Sequence, residues 1–193
     1  NNTATGLGAS GTGSVPAFTT TNTGTAPIKS QIIVIPTFTL NGTSTPGTPD
    51  TVCITVNPIA MIVAIKDTVL CKGISVASFV PTTTATGGTT TYTWTNNNTG
   101  IGLASSGSGN IPSFTSTNTS TAPIIATIIV TPTFTNTNGG TPSVGTPDTF
   151  TITVNPMPMI NAIPDNVVCN AASVIEVKLT TTATGGTVTY AWI

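Results

Sequence analysis

The sequence predicts an all-β chain built as tandem β-sandwiches. Three observations predict it. Roughly a quarter of the 193 residues are threonine, a β-branched type that suits strands and disfavours long helices. Apolar residues alternate with polar ones in several short runs, each bounded by Gly or Pro. The third is a repeat of the whole pattern after just under one hundred residues.

The alternation is read run by run. In "DTFTITVNP", Phe150, Ile152 and Val154 share one face, and Thr149, Thr151 and Thr153 the other. In "TTYTWT", Tyr92 and Trp94 face inward between Thr91, Thr93 and Thr95. In "SVIEVKL", Ile175, Val177 and Leu179 oppose Glu176 and Lys178. With 19 Gly and 15 Pro, turns are frequent, and no segment sustains a helical period.

The repeat is found by self-comparison. "NNTATGLGASGTGSVPAFT" from Asn1 is echoed by "NNTGIGLASSGSGNIPSFT" from Asn97, an offset of 96. After a two-residue insertion, "GTPDTVCITVNP" matches "GTPDTFTITVNP", with Pro58 against Pro156, an offset of 98. "DTVLCKGISV" from Asp67 answers "DNVVCNAASV" from Asp165, and Thr82–Thr95 answers Thr180–Ile193. Proline ends a strand, so units are placed at 1–57, 58–155 and 156–193. The first is the back part of a unit, the second a whole one and the third a front part. A unit of this size suits a sandwich rather than a solenoid rung. The expected setting is a window onto a longer array.

Composition excludes several functions. Charged residues are 5% of the chain, with four Lys and no Arg or His, against roughly 25–35% on common soluble surfaces. Phosphates cannot be neutralised by so few cations, so nucleic acid is not expected as a partner. Without His there is no Ser-His-Asp or Cys-His catalysis and no His-ligated metal. Glu176 is the sole Glu, and nothing assembles a nucleophile–base pair, so no enzyme is expected. The apolar runs at 58–65 and 122–130 fall far short of the roughly 20 residues that span a membrane.

"GLGASG", Gly6–Gly11, fits the dinucleotide fingerprint G-x-G-x-x-G. That fingerprint works only between a strand and a helix. Here "TGSVPAF" follows, and the second copy reads "GLASSG" at Gly102–Gly107, so the middle glycine is not kept. The expected role is a bulged or flexible β connection.

Taken together, "TYTWTNNNTGIG", "GNIPSFTSTNTSTAPI", "TFTITVNP" and "DTVLCKG" resemble the PKD-like, immunoglobulin-like repeats of very large secreted surface proteins of Bacteroidota. The resemblance covers the whole chain. It implies a Greek-key β-sandwich displayed outside the cell as a stalk or adhesin shaft and exported as a type IX secretion substrate. Neighbouring repeats, other copies of the shaft, or secretion and anchoring machinery would be the partners. One departure is clear. PKD domains follow Y-x-W-x with an acidic, glycine-bearing turn, whereas Asn96-Asn97-Asn98 follow here, so that turn's role is not carried over.

Within this reading, Tyr92, Trp94, Tyr190 and Trp192 are core aromatics, the tryptophans matching the buried strand-C Trp of such sandwiches. Cys53, Cys71 and Cys169 have no assigned pairing. Cys53 points away from its own core and could bond within the absent front of its unit. Cys71 is read first as a free buried thiol, with a bridge to Cys53 or an intermolecular bond as alternatives. Asp50 and Asp67 flank one unit boundary, Asp148 and Asp165 the next. No cofactor is expected beyond calcium at those boundaries, which would need six to eight oxygens; Asp after Pro reads first as a turn residue. "DTV" at Asp50 and Asp67 resembles the Bacteroidota O-glycan acceptor, making Thr51 and Thr68 the acceptors. With few edge lysines, threonine-rich faces are expected to carry glycan or to pack laterally. The competing reading is an extracellular carbohydrate-binding module, or, with less support, an ice-binding one, since a twisted sheet makes a poor flat threonine array.

Overall fold

The computed structural model describes residues 2–193; Asn1, the counterpart of Asn97, lies outside them. The chain is all-β. Twelve strands are described: β1 (Ile28–Val34), β2 (Thr37–Leu40), β3 (Thr43–Pro46), β4 (Asp50–Val56), β5 (Thr68–Cys71), β6 (Ser75–Val76), β7 (Gly88–Asn96), β8 (Ser106–Ser108), β9 (Phe114–Thr115), β10 (Ile124–Asn136), β11 (Ser143–Val144) and β12 (Asp148–Asn155). Among the described residues the helical content is two three-residue 3-10 turns, Thr3–Thr5 and Thr99–Ile101. The longest sheet has the order β5-β12-β10-β7-β8, with β11 on β10; β1-β4, β2-β3 and β6-β9 form two-stranded sheets. Several packed sheets of this kind are compatible with a sandwich.

The alternation read from sequence sets the core. Along β12, Phe150, Ile152 and Val154 are buried between part-exposed threonines. Along β7, Trp94 is buried and Tyr92 half-buried, with Thr91, Thr93 and Thr95 exposed. β10 buries every second residue from Ala126 to Asn136. Placing a period-2 pattern in a sheet with neighbours on both sides buries the whole apolar set at once.

The chain divides into two compact units. One comprises the residues up to Val63, Pro81–Tyr92 and Thr131–Asp148; the other comprises Ala64–Val80, Thr93–Val130 and Thr149–Ile193. This grouping differs from the sequence units 1–57, 58–155 and 156–193. Each compact unit contains one Asn-Pro restart, Asn57-Pro58 or Asn155-Pro156, together with segments from both sides of it.

In the first compact unit, β1 and β4 pair antiparallel from Ile28↔Val56 to Val34↔Asp50. Pro36 separates β1 from β2, and its carbonyl accepts the Gly47 N–H at 2.7 Å. β2 and β3 close on Leu40↔Thr43, leaving the two-residue loop Asn41-Gly42. Both loop residues have positive φ, 49° and 80°, as a type I′ hairpin requires. Phe134, Pro58 and Pro132 are fully buried here.

In the second compact unit, β5 runs parallel to β12, with Thr68 opposite Ile152 and Cys71 opposite Asn155. The core includes Trp94, Ile101, Leu103, Ile128, Val130 and Val154.

Several sequence expectations are corrected. "SVIEVKL" forms no strand, and Ile175 and Val177 are exposed. Alternation chooses a face, but a strand also needs a hydrogen-bonding neighbour, and among the described residues no strand pairs with this segment. Trp192 is 87% exposed and Tyr190 also stands in solvent. Trp94 is covered by Gly107 of β8, whereas no described residue covers Trp192. Cys71 is exposed rather than buried, as are Cys53 and Cys169, and all three are free thiols. In β5, Leu70 is the half-buried residue and its neighbour Cys71 takes the opposite face.

The half-burial of Tyr92 gives a pH expectation. Desolvation raises its phenol above the ordinary value near 10. The folded state therefore holds the proton more tightly than the unfolded one, so its contribution is complete below the ordinary value and is lost as pH rises through the raised one. With no His in the chain, it lacks the one side chain whose ordinary pKa lies between about 5 and 8. The melting temperature should be flat across neutral pH and fall above about pH 10. Tyr92→Phe should flatten that alkaline fall in a thermal scan.

Candidate functional site

The most distinctive structure in the chain is a junction that occurs twice with the same geometry. Its first copy surrounds Asn57-Pro58. The "TTTATGG" segment supplies one side. Thr83 Oγ1 donates to the Met61 carbonyl at 2.9 Å, and accepts the Ala85 N–H at 3.2 Å. This Ser/Thr turn fixes the segment. The Val63 N–H then reaches Thr82 O at 2.9 Å, and the Thr86 N–H reaches Thr25 O at 2.7 Å.

The second copy surrounds Asn155-Pro156. Thr181 Oγ1 donates to Met159 O at 2.9 Å and accepts the Ala183 N–H at 3.2 Å. Asn161 N–H reaches Thr180 O at 2.9 Å, and Thr184 N–H reaches Thr121 O at 2.7 Å. The bridges Ile62↔Thr83 and Ile160↔Thr181 also correspond.

A glycine and a proline close each junction. Gly87 has φ +76° and a Cβ on it would stand 2.8 Å from Pro27 Cδ; Gly185 has φ +76° and the distance to Pro123 Cδ would be 2.9 Å. Only glycine meets both the backbone conformation and the close approach.

Asparagines anchor the strands that enter each junction. Asn22 Nδ2 donates to Ala26 O and to Val56 O, both at 2.9 Å, while its Oδ1 accepts the Gly24 N–H at 2.9 Å. Asn118 Nδ2 donates to Ala122 O at 2.9 Å and Val154 O at 2.8 Å, and its Oδ1 accepts the Ser120 N–H at 2.8 Å. Each side chain thus ties a turn to the end of the strand that leads into the Asn-Pro restart. At the first restart, Asn57 Oδ1 also accepts from Asn136 Nδ2 at 2.9 Å.

The residues named in the two junctions are Thr, Ser, Asn, Pro, Gly, Ala, Val, Ile and Met. They offer hydrogen bonds and shape, with no group that exchanges a proton near neutral pH. Chemically they can position chain segments. A cleft of about 410 Å³ lined by Cys71, Pro123, Asn155, Pro156 and the 183–188 segment accompanies the second copy.

The residues singled out from sequence fall as follows. Asp50 Oδ1 accepts the adjacent Thr51 N–H at 2.8 Å, a local turn contact. Asp67 Oδ1 accepts the Thr151 N–H at 2.7 Å and so ties the start of β5 to β12. Asp148 opens β12, and Asp165 is exposed. Among the described residues, no three His, Cys, Asp or Glu side chains gather to hold a metal. Thr51 and Thr68 are exposed, one in β4 and one in β5. In "GLGASG", Gly6 takes φ +99° and ends the 3-10 turn Thr3–Thr5, with Gly102 doing the same at φ +96° after Thr99–Ile101. No helix follows either.

Asn96-Asn97-Asn98 turn out to be a capping cluster. Asn96 Nδ2 donates to Leu103 O at 3.0 Å, Asn97 Oδ1 accepts from Thr127 N at 2.7 Å, and Asn98 Oδ1 accepts from Gly100 N at 3.1 Å. The roles of Asn22 and Asn118 were not drawn from sequence. Their signal is the doubled "TNT-x-TAPI", which keeps both the Asn and the Pro of the junction.

No protein-family model matches the chain, and no curated protein matches it.

Proposed function

We propose that the chain is a structural segment of tandem immunoglobulin-like, PKD-like β-sandwich repeats with Greek-key connections. Its units are 1–57, 58–155 and 156–193. It serves as part of the shaft of a large secreted or surface-anchored protein of the Bacteroidota kind, holding a distal domain away from the cell. The observation that carries this reading is the duplicated junction. A spacer must pass the same geometry from one unit to the next, and matching hydrogen bonds at Thr25–Thr86 and Thr121–Thr184 support that. Pro58 and Pro156 follow Asn and restrict the backbone at the restart. The paucity of charge lets neighbouring shafts approach with little repulsion.

Arrays with additional copies of residues 58–155 test the reading by small-angle scattering. The maximum dimension should grow by a constant increment per added unit. Gly87→Val at each junction should shorten and broaden the distance distribution, because a side chain there strains the backbone and meets Pro27. Arrays that collapse, or whose dimension ignores both unit number and Gly87, would sink the shaft. The carbohydrate-binding alternative draws no support from Trp94, whose indole is covered by Gly107.

A further inference from the structure

Asn-Gly occurs twice in the sequence, at Asn41-Gly42 and at Asn138-Gly139. Both pairs sit in the loop where the two-residue insertion separates the copies, "TFTLNG" against "TFTNTNGG". Both are exposed, and a Cβ on Gly42 or on Gly139 would meet nothing within 4 Å. Water therefore reaches the two sites alike.

The loops differ in what holds the glycine nitrogen. In the longer loop the Gly139 N–H donates to Asn136 O at 3.0 Å and so closes the turn. The Asn138 N–H donates to Asn136 Oδ1 at 2.9 Å, and Thr137 Oγ1 donates to Gly87 O at 3.2 Å. In the shorter loop the type I′ turn closes through the residues that flank it, Leu40 and Thr43. That closure leaves the Gly42 N–H outside the hairpin's bonds. Among the described residues, neither this N–H nor the Asn41 side-chain amide has a hydrogen-bond partner.

We propose that Asn41 is a site of spontaneous modification, converted with water to aspartate and isoaspartate, while the fold shields Asn138 from the same reaction. The Gly42 nitrogen gives its proton to hydroxide and attacks Asn41 Cγ. The new N–Cγ bond closes a cyclic imide, and the Cγ–Nδ2 bond breaks to release ammonia. Water then opens the imide at either carbonyl. One opening leaves an ordinary aspartyl peptide; the other routes the main chain through Cβ and Cγ as isoaspartate. One water enters and one ammonia leaves, with no oxidant or reductant. Glycine carries no side chain to hinder the approach of its nitrogen. At Asn138 that nitrogen must first leave Asn136 O, whereas at Asn41 the turn need only open locally.

The isoaspartyl product lengthens the main chain by one carbon inside a two-residue loop, which a type I′ turn does not accept. The pairs from Thr37↔Pro46 to Leu40↔Thr43, and the Thr39 Oγ1–Ser44 Oγ contact at 2.8 Å, depend on that turn. The isoaspartyl form thus releases β2 from β3. Either product also adds one negative charge to a chain whose formal net charge is −1, so ion-exchange chromatography separates it. None of this depends on the shaft reading.

The test ages the full 193-residue chain in warm, mildly alkaline buffer. Peptide mapping follows both sites, and enzymatic methyl labelling counts isoaspartate. Asn41 should convert roughly three- to tenfold faster than Asn138, the effect of one hydrogen bond on the attacking nitrogen. In concentrated urea the two rates should converge, because both sites are then plain Asn-Gly. An unreactive Asn41, equal rates in the folded chain, a faster Asn138, or a ratio that persists in urea overturns the proposal. Hydrogen exchange reads the consequence. Amides of β2 and β3 should lose protection in the isoaspartyl fraction and keep it in Asn41→Asp, which carries the charge on an ordinary backbone. Protection kept in the isoaspartyl fraction, or lost equally in Asn41→Asp, overturns the coupling to the hairpin.

Discussion

Gly107→Val is expected to destabilise the chain severely, while Gly11→Val, the same change at the corresponding position, is expected to leave the free chain's stability unchanged. The two glycines share a sequence context, "GSG" against "GTG". They differ in what lies above them. At Gly107 a side chain would have to displace the Trp94 ring, which is buried and has no room to swing. Overpacking of a rigid core costs about 1–3 kcal/mol and sometimes more. Lifting Trp94 off β8 would also lose part of the ring's burial, and full loss of a large aromatic costs about 3–5 kcal/mol. The combined loss should be near 3 kcal/mol, or roughly 6–12 °C in melting temperature for a chain of this length. Trp94 Nε1 is already buried without a hydrogen-bond partner, so the site starts with a cost and has little margin. Urea denaturation of both variants makes the comparison. Equal effects at the two glycines would mean that the Trp94–Gly107 contact does not hold the sheet.

The same pair of glycines shows how far the sequence carries. "GLGASG" read alone suggests a nucleotide loop. Aligned with "GLASSG", it marks a repeat, and the glycine that both copies keep last is, at Gly107, the one that Trp94 lies against. The glycine that only the first copy has, Gly8, touches nothing at its Cβ position. Periodicity told which residues of β7 and β12 turn inward, because alternation is a local property of the strand. It did not tell that "SVIEVKL" would lie unpaired, since pairing depends on segments far away in the chain. For the same reason Trp192 was expected inside and stands outside. Cys71 follows a different logic. Its residue type favours burial, but its place beside Leu70 in β5 gives the inward face to the leucine. The asparagines were the least legible. Asn is abundant in this chain, and composition cannot separate a solvating Asn from one whose amide closes a distant strand end.

Asn118 is where that distinction should be largest. Its side chain is 1% exposed, and its amide donates to two carbonyls, Ala122 O and Val154 O, while its Oδ1 accepts from Ser120 N and Ser120 Oγ. Asn118→Ala removes every one of these partners in a place that water does not reach. Each buried group left unpaired costs about 1–3 kcal/mol, and the turn at Ser120 loses its Asx closure. We expect a loss of about 3 kcal/mol or more, read by chemical denaturation. Asn22→Ala removes the matching contacts to Ala26 and Val56, but Asn22 is only half-buried. Water can replace its amide there, so the loss should be nearer 1 kcal/mol. Asn118→Asp separates hydrogen bonding from shape. It keeps the volume and the acceptor for Ser120 but turns a donor into an acceptor facing two carbonyl oxygens, and buries a charge. At neutral pH it should be at least as harmful as alanine. Burial and the two carbonyls raise the introduced carboxyl above its unfolded value near 3.9. The penalty is therefore full above that raised value and shrinks as pH falls through it, when the protonated carboxyl can donate to one carbonyl again. A stability profile for Asn118→Asp that does not improve towards acid, alongside a mild Asn118→Ala, would show that the amide is spectator to the packing around it.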